Sequence, residues 1–350
     1  MKSTKTLILN GQLQKDIEVA SELLSNDKIV SFCTETVYGL GAWGFSEKAI
    51  NKIFKAKNRP KCNPLIFHVA NIASAKKLFF HENCKNKDVI ENRFTLLAHS
   101  FWPGPLTIVS FKSNKVPLLA TANSAKVAVR IPSHLVAQKL LNTVKKPLVA
   151  PSANASNRPS PTCAKHVLAT LDGKIDAVLD GGICQRGLES TVVDITQKCP
   201  IILRLGAISF EQIKAILPNI KVKNGGKKLK NEHASPGMLK KHYSPEIDSI
   251  TLLPSSEMLK FWHTKTALLM LNNSAKKLKK ELGIRKYKSP IETLPDDPLL
   301  YAKELYAAFY RLENHNATKL IIEKPALNLK NTDDWQAILD RLKRASSKNN

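Results

Sequence analysis

The chain has 350 residues, 43% of them apolar, and a formal net charge of +25 at pH 7. That length exceeds what one hydrophobic core ordinarily serves, so two domains are expected; no apolar run reaches membrane length, and Thr6-Leu7-Ile8-Leu9 is too short for an export signal. The six cysteines, at 33, 62, 84, 163, 184 and 199, stand singly without a C-x-x-C pair, which gives no zinc ribbon or dithiol motif and fits reduced thiols in a cytoplasmic protein.

Up to Leu217, apolar runs alternate with helical patterns, the mark of an α/β or α+β domain. Ile29 to Cys33, Leu65 to Val69, Leu106 to Phe111, Val127 to Ile131, Pro147 to Ala150, Ala177 to Leu179, Thr191 to Ile195 and Ile201 to Leu205 are predicted strands. Between the first two, Ala49, Ile50, Ile53 and Phe54 repeat at helical spacing after a Ser46 cap, and Pro60 closes that helix. Ser209 with Gln212 forms a capping box that opens a short helix ending near Leu217. From Pro218 to Pro245 the composition is that of a basic linker, with seven lysines against Glu232 alone around Gly225-Gly226 and Pro236-Gly237. Within it, His233 to Met238 and His242-Tyr-Ser-Pro245 carry aromatic and turn residues that a spacer does not need. After Glu246, strands at Ile250 to Leu253 and Ala267 to Leu271 and helices at Leu299 to Arg311 and Asp334 to Arg344 predict a smaller α/β domain. The division drawn is therefore 1–217, 218–245 and 246–350.

Four blocks could carry chemistry. Thr34-Glu-Thr-Val-Tyr-Gly-Leu-Gly41 follows a strand and ends in glycines that let backbone approach a ligand; a tight strand-to-helix turn explains it equally. In Lys55-Ala-Lys57-Asn-Arg59-Pro-Lys-Cys-Asn63, a turn at Pro60 would aim Lys57 and Arg59 at one point, as suits a triphosphate, although cations also favour a helix C-terminus. Ala150-Pro-Ser152-Ala-Asn154 and Ser160-Pro-Thr162 offer small donors beside a helix start, where a phosphate site or a simple cap could form. Arginines are scarce, 10 against 44 lysines, yet Arg130 and Arg204 each end an apolar strand, where a charge needs a partner: a ligand anion or a structural carboxylate. The lysine excess is either a compositional habit or an attraction for polyanions such as ATP and RNA. No G-K-[ST] or H-E-x-x-H signature and no catalytic triad ordering occurs.

Taken with Phe101-Trp-Pro-Gly-Pro-Leu-Thr107, Val127-Ala-Val-Arg130, Asp180-Gly-Gly182, Glu189-Ser-Thr191 and Ser235-Pro-Gly-Met238, these blocks resemble the YrdC-like family in its long form, which has an added C-terminal domain. Cys33 stands where that family usually has proline, and Leu205 where it has another. The resemblance implies an α/β-twist catalytic domain with a concave mixed sheet, followed by a Rossmann-like α/β domain. It implies the joining of L-threonine, bicarbonate and ATP into threonylcarbamoyl-AMP and pyrophosphate, for threonylcarbamoyladenosine modification of tRNA.

By the same resemblance, Thr36, His68, Arg130 and Ser190 would hold threonine. Lys57 and Arg59 would neutralise phosphate, Asn63, Ser152, Asn154, Ser160 and Arg204 would hold the nucleotide, Lys126 and Ala150 would border it, and Tyr243 would close over it as a lid. Mg2+ would arrive on the ATP phosphates with no side-chain ligand. The partners implied are tRNA and the transferase proteins that take up the labile product, with no membrane. Two rivals remain: a carbamoyltransferase of the same fold that forms a carbamoyl-adenylate, and a non-catalytic RNA-binding or ribosome-associated protein.

Overall fold

The computed structural model describes residues 5–79, 86–223, 243–258, 260, 265–282, 290–326 and 332–346. Lys227, Lys228, Lys230, Glu232 to Met238, Lys240, Lys241 and His242 lie outside the described residues. The chain divides into two compact units, one of residues 1–156 and 161–238, the other of 157–160 and 239–350.

The first unit runs β1 (Leu7–Asn10), α1 (Gln14–Ser25), β2 (Val30–Phe32), β3 (Gly39–Trp43), α2 (Glu47–Lys57), β4 (Ile66–His68), α3 (Ile72–Lys76), α4 (Lys87–Phe101), β5 (Leu106–Phe111), β6 (Lys126–Arg130), α5 (Leu135–Val144), β7 (Leu148–Val149), α6 (Ala164–Leu171), β8 (Ala177–Asp180), β9 (Thr191–Asp194), β10 (Ile201–Arg204), α7 (Phe210–Ile216) and β11 (Lys221–Val222). The strands join one mixed sheet in the order β1-β8-β2-β3-β7-β4-β6-β5-β9-β10-β11. Because β11 pairs with β10, that sheet continues a few residues past Leu217.

Alternation along the strands sorts the two faces. Leu65, Phe67, Ile108, Val127, Val129 and Val193 point into the main core, against Ile50, Ile53 and Phe54 of α2, Phe94 and Leu97 of α4, Val167 of α6 and Ile213 of α7. On the opposite face, Val30, Phe32, Leu148, Ala177 and Leu179 pack with Ile17 and Leu24 of α1 and Leu140 of α5. Further along that second face, Ile66, Val109, Ala128 and Val192 form a small apolar cluster of their own. His68, Arg130 and Thr107, two residues along from members of that cluster, share its face.

The eight strands read from the sequence are present, and so are the Ser46 cap and the Ser209/Gln212 capping box. β1 and β3 were not expected. β1 is an exposed strand paired only with β8, its Leu7 and Ile8 about half exposed. β3 corrects the reading of the Gly39 and Gly41 positions as a ligand loop: a Cβ at Gly41 would lie 2.9 Å from the Phe32 ring, so glycine serves strand packing there. The helix expected to open at Ser160 begins at Ala164, with Cys163 as its N-cap.

The second unit contains β12 (Ser249–Leu253), α8 (Ser255–Met258), β13 (Thr266–Leu271), α9 (Asn272–Leu282), β14 (Ile291–Leu294), α10 (Pro298–Glu313), β15 (Lys319–Glu323) and α11 (Thr332–Ala345). Its four strands are all parallel, in the order β12-β15-β13-β14, with Leu268, Met270 and Ile321 at the core. Among the described residues, no helix is long and apolar enough to cross a membrane.

Candidate active site

The end of β4 anchors one group of polar residues. Register places His68 opposite Arg130 and Arg130 opposite Thr107, so adjacent strands aim all three at one face. Arg130 is 4% exposed. It donates from Nε to Gly104 O at 3.3 Å, from Nη1 to Thr36 Oγ1 at 2.8 Å and from Nη2 to Glu35 Oε1 at 2.6 Å. Glu35 Oε2 also accepts Ser133 N–H at 3.1 Å, which fixes the carboxylate. A guanidinium has five N–H groups. Among the described residues three are used, and one remains on each terminal nitrogen for an anion such as a carboxylate.

The hydroxyls beside it are ordered by their own bonds. Thr34 Oγ1 accepts the backbone N–H of Thr36 and Val37 and donates to Val37 O at 2.6 Å. Its proton being spent, the 2.9 Å contact with Thr36 runs from the Thr36 hydroxyl to Thr34. Thr36 Oγ1, 0% exposed, accepts from Arg130 Nη1 and keeps one lone pair that an ammonium or amine could use. His68 Nδ1 lies 3.1 Å from Ile66 O, which can only accept, so the proton sits on Nδ1 and Nε2 is an acceptor. Burial, with the Arg130 charge second, pulls His68 down to about 3, so the ring is neutral at physiological pH. Across the sheet, Ser190 Oγ is 2.7 Å from Thr107 Oγ1, and Arg204 donates to Ser190 O and Oγ.

A second group gathers at the start of β4. Gly39 bridges Ser152, Leu40 N–H reaches Pro151 O, and Ala150 N–H reaches Ile66 O at 2.9 Å, so the first and third sequence blocks meet. Lys57 is 1% exposed and donates its Nζ hydrogens to Ser152 O and Asn154 O, while Ser156 N–H returns to Lys57 O. Burial first and the Arg59 charge second draw Lys57 well below its ordinary pKa. Lys57 Nζ therefore holds the 152–154 loop by its carbonyl oxygens and is not a solvent-facing ammonium, a correction to its expected role in neutralising phosphate directly. Asn58 in the left-handed conformation ends α2 and turns the chain, so that Arg59 donates to Asn63 O and Pro64 O at 3.3 and 3.0 Å. Asn63 Oδ1 is buried with no hydrogen-bond partner among the described residues, which leaves it able to accept from a ligand. From Pro64 to His68 is four residues, at most about 13 Å of extended chain, a separation over which the two groups could flank an amino acid joined to a nucleotide.

Other expected residues lie elsewhere. Lys126 Nζ pairs with Asp194 Oδ2 at 2.8 Å, four residues from Arg130 along β6. Arg204, expected at the nucleotide, is at Ser190. Ser160 and Tyr243 belong to the second unit, where Tyr243 is 1% exposed, stacked on Tyr306 at 5.8 Å with Arg341 over its ring at 5.0 Å. The strand-end crevice of that unit, where a Rossmann-like sheet would take a phosphate, is occupied by its own acids: Glu323 accepts Leu271 N–H and Ser274 Oγ–H, and Asp296 accepts Asn273 N–H at the start of α9.

Sequence reasoning gave Glu35, Thr107 and Gly206 no role. A Cβ at Gly206 would lie 2.3 Å from Glu189 O and 2.5 Å from Ser190 C, so glycine there lets the loop after β10 lie against the Ser190 segment. The buried Cys33 and Cys184, with the half-buried His134 beside them, were also missed. Cys33 Sγ is 3.6 Å from His134 Nε2 and 3.8 Å from Cys184 Sγ, and the Cys184 hydrogen bond followed by the His134 ring hold it down to about 6.

A family model spanning Sua5, YciO and YrdC, described as "Telomere recombination", matches residues 22–206. The chain belongs to this family. A second model, "Threonylcarbamoyl-AMP synthase, C-terminal domain", matches residues 208–347, so this member has the long form. The chain is 42% identical over 252 residues to a threonylcarbamoyl-AMP synthase of Pyrococcus abyssi, covering 71% of this chain and 72% of that one. It is 41% identical over 264 residues to a Schizosaccharomyces pombe protein of the same name, covering 69% and 65%. The fold is similar to that of P. abyssi Sua5 complexed with L-threonine, with a TM-score of 0.83, 32% identity and 98% of each chain covered.

Proposed function

We infer that this chain is a threonylcarbamoyl-AMP synthase, which joins L-threonine, bicarbonate and ATP and supplies the adenylate for threonylcarbamoyladenosine in tRNA. The observation that carries the reading is the Arg130 fork. It is buried and held by Glu35, Gly104 and Thr36, with one N–H left on each terminal nitrogen among the described residues. A carboxylate on the fork and an amine at Thr36 is the recognition pattern of an α-amino acid.

In this reading, threonine's carboxylate sits on Arg130 and its amine at Thr36. Its proton is not taken by His68, because a ring held near 3 has little appetite for one at neutral pH; His68 Nε2 accepts a hydrogen bond and orients. The Arg130 charge and the dry surroundings instead disfavour the ammonium form; its proton passes to bicarbonate, which gives CO2 and water, and the neutral amine adds that CO2 with loss of one proton to solvent. An oxygen of the resulting N-carboxylate attacks the α-phosphorus of ATP, and pyrophosphate leaves. No side chain bonds to either reactant. Positioning along β4, with Arg59, Lys57 and Asn63 at the nucleotide end, lowers the barrier. Glu35 and Asp194 on this face are already engaged by Arg130 and by Lys126, so magnesium fits as a companion of the triphosphate, where it would neutralise phosphate charge. In this reading the enzyme works in the cytoplasm and its product passes to transferase proteins, and the charge of +25 suits contact with RNA.

The test is pyrophosphate release by the purified chain with ATP, Mg2+ and bicarbonate, with and without threonine. Release that requires threonine supports the reading; release driven by carbamoyl phosphate instead would establish the carbamoyltransferase rival, and RNA binding without turnover the other.

A further inference from the structure

Thr107 on β5 and Ser190, the residue before β9, have hydroxyl oxygens 2.7 Å apart. Distance alone does not say which one donates, and neither hydroxyl has a second acceptor among the described residues. Thr107 is 0% exposed, and its hydroxyl makes no further hydrogen bond among the described residues. Were Ser190 the donor, the Thr107 proton would be buried without an acceptor, an arrangement that folded proteins avoid. Ser190 is just as buried, at 1% exposed, and its hydroxyl donates to no other group among the described residues, so both protons are satisfied only when Thr107 gives its own to Ser190 and a ligand accepts the one from Ser190. Arg204 Nη2 also donates to Ser190 Oγ, at 3.1 Å. Two arriving donors fill both lone pairs of that oxygen. The Ser190 proton is left to point away from both.

We propose that Thr107 is a positioning residue for the amino-acid substrate: by giving its proton to Ser190 Oγ, it fixes Ser190 as a hydrogen-bond donor toward an anionic oxygen of bound threonine. The inference rests on the reading that Ser190 lies at the threonine site. Register supports it, because Thr107 is directly opposite Arg130 on one side while its hydroxyl meets Ser190 on the other, so the guanidinium fork and the serine donor flank one strand position. Without the Thr107 proton, the Ser190 hydroxyl would be able to turn back into the strand. A rotor locked as a donor meets the substrate already oriented, which is where an enzyme saves the entropy of ordering its own groups.

The test is steady-state kinetics of the full-length chain with Thr107→Val, which keeps the shape and removes the proton, Thr107→Ser, which restores it, Ser190→Ala, and the Thr107→Val/Ser190→Ala pair. Thr107→Val should raise the threonine KM about five- to ten-fold while the ATP KM stays within about two-fold. Thr107→Ser should return the threonine KM to near its original value, and the double variant should be no worse than Ser190→Ala alone. If Ser190→Ala raises the threonine KM and Thr107→Val does not, the proposal is overturned by itself. If Ser190→Ala changes nothing, the placement of threonine is wrong and the proposal goes with it. Equal impairment by Thr107→Val and Thr107→Ser would mark a packing role and also overturn it.

Discussion

Replacing Arg130 with lysine separates charge from geometry. The single lysine nitrogen can keep the ion pair with Glu35, so no buried carboxylate is abandoned, but it cannot span Gly104 O, Thr36 Oγ1 and a substrate together. The loss at the substrate is one of two parallel charge-assisted hydrogen bonds, worth about 1.5–3 kcal/mol. At about 1.36 kcal/mol per decade, the threonine KM should rise by about 10- to 150-fold. The nucleotide end, about 13 Å away along β4, makes none of these contacts, so the ATP KM should hold within about two-fold. Initial rates of pyrophosphate release across a grid of threonine and ATP concentrations read both constants. An unchanged threonine KM, or a parallel rise in both constants, would refute the assignment of Arg130 to the carboxylate.

Asn63→Ala should give opposite signs in two assays. Removing an acceptor that is already buried without a partner should leave the unfolding midpoint of the ligand-free protein unchanged or raised, yet increase the ATP KM about ten-fold; a clear loss of stability would contradict the reading. Arg59→Ala should abolish turnover through lost phosphate contacts, with threonine binding by calorimetry retained; normal turnover would remove Arg59 from the site. His68 predicts a pH effect. Its folded pKa of about 3 lies below the ordinary value of 6.5, so between those limits the unfolded chain takes a proton that the folded chain refuses, and stability falls as pH drops below 6.5. From pH 6.5 to 5 this one ring should cost up to about 2 kcal/mol. The stability difference between wild type and His68→Gln, followed by denaturant melts, should shrink by that amount on acidification; a constant difference would contradict it.

Legibility in the sequence followed physical range. Strands buried on both faces, such as Leu106–Phe111, announce themselves through continuous apolar composition, and the Ser46 and Ser209 caps through their own side chains. β3 was hidden because its glycines answer to Phe32, a neighbour in space that local pattern does not contain. Lys57 and Arg59 were read as neighbours around a forced turn, and Asn58 supplies that turn. That Lys57 faces carbonyl oxygens beneath the 152–154 loop depends on residues almost a hundred positions away. The partner expected for a strand-end Arg130 is Glu35, which sequence could name only as part of a loop, and the Thr107–Ser190 pair needed the register of β5 with β9. Tyr243 was legible as an ordered residue in a basic linker; its stacking on Tyr306 was not.

The account depends on two binding groups at opposite ends of one short strand holding their ligands close enough to react. The structure of the chain with threonine and a non-hydrolysable ATP analogue measures this directly. The threonine carboxylate should lie on the outer N–H pair of Arg130 with Ser190 donating to it, and the phosphates should lie at Arg59 and the 152–154 loop. Threonine bound away from Arg130, or phosphates held at the strand ends of the second unit, would contradict it.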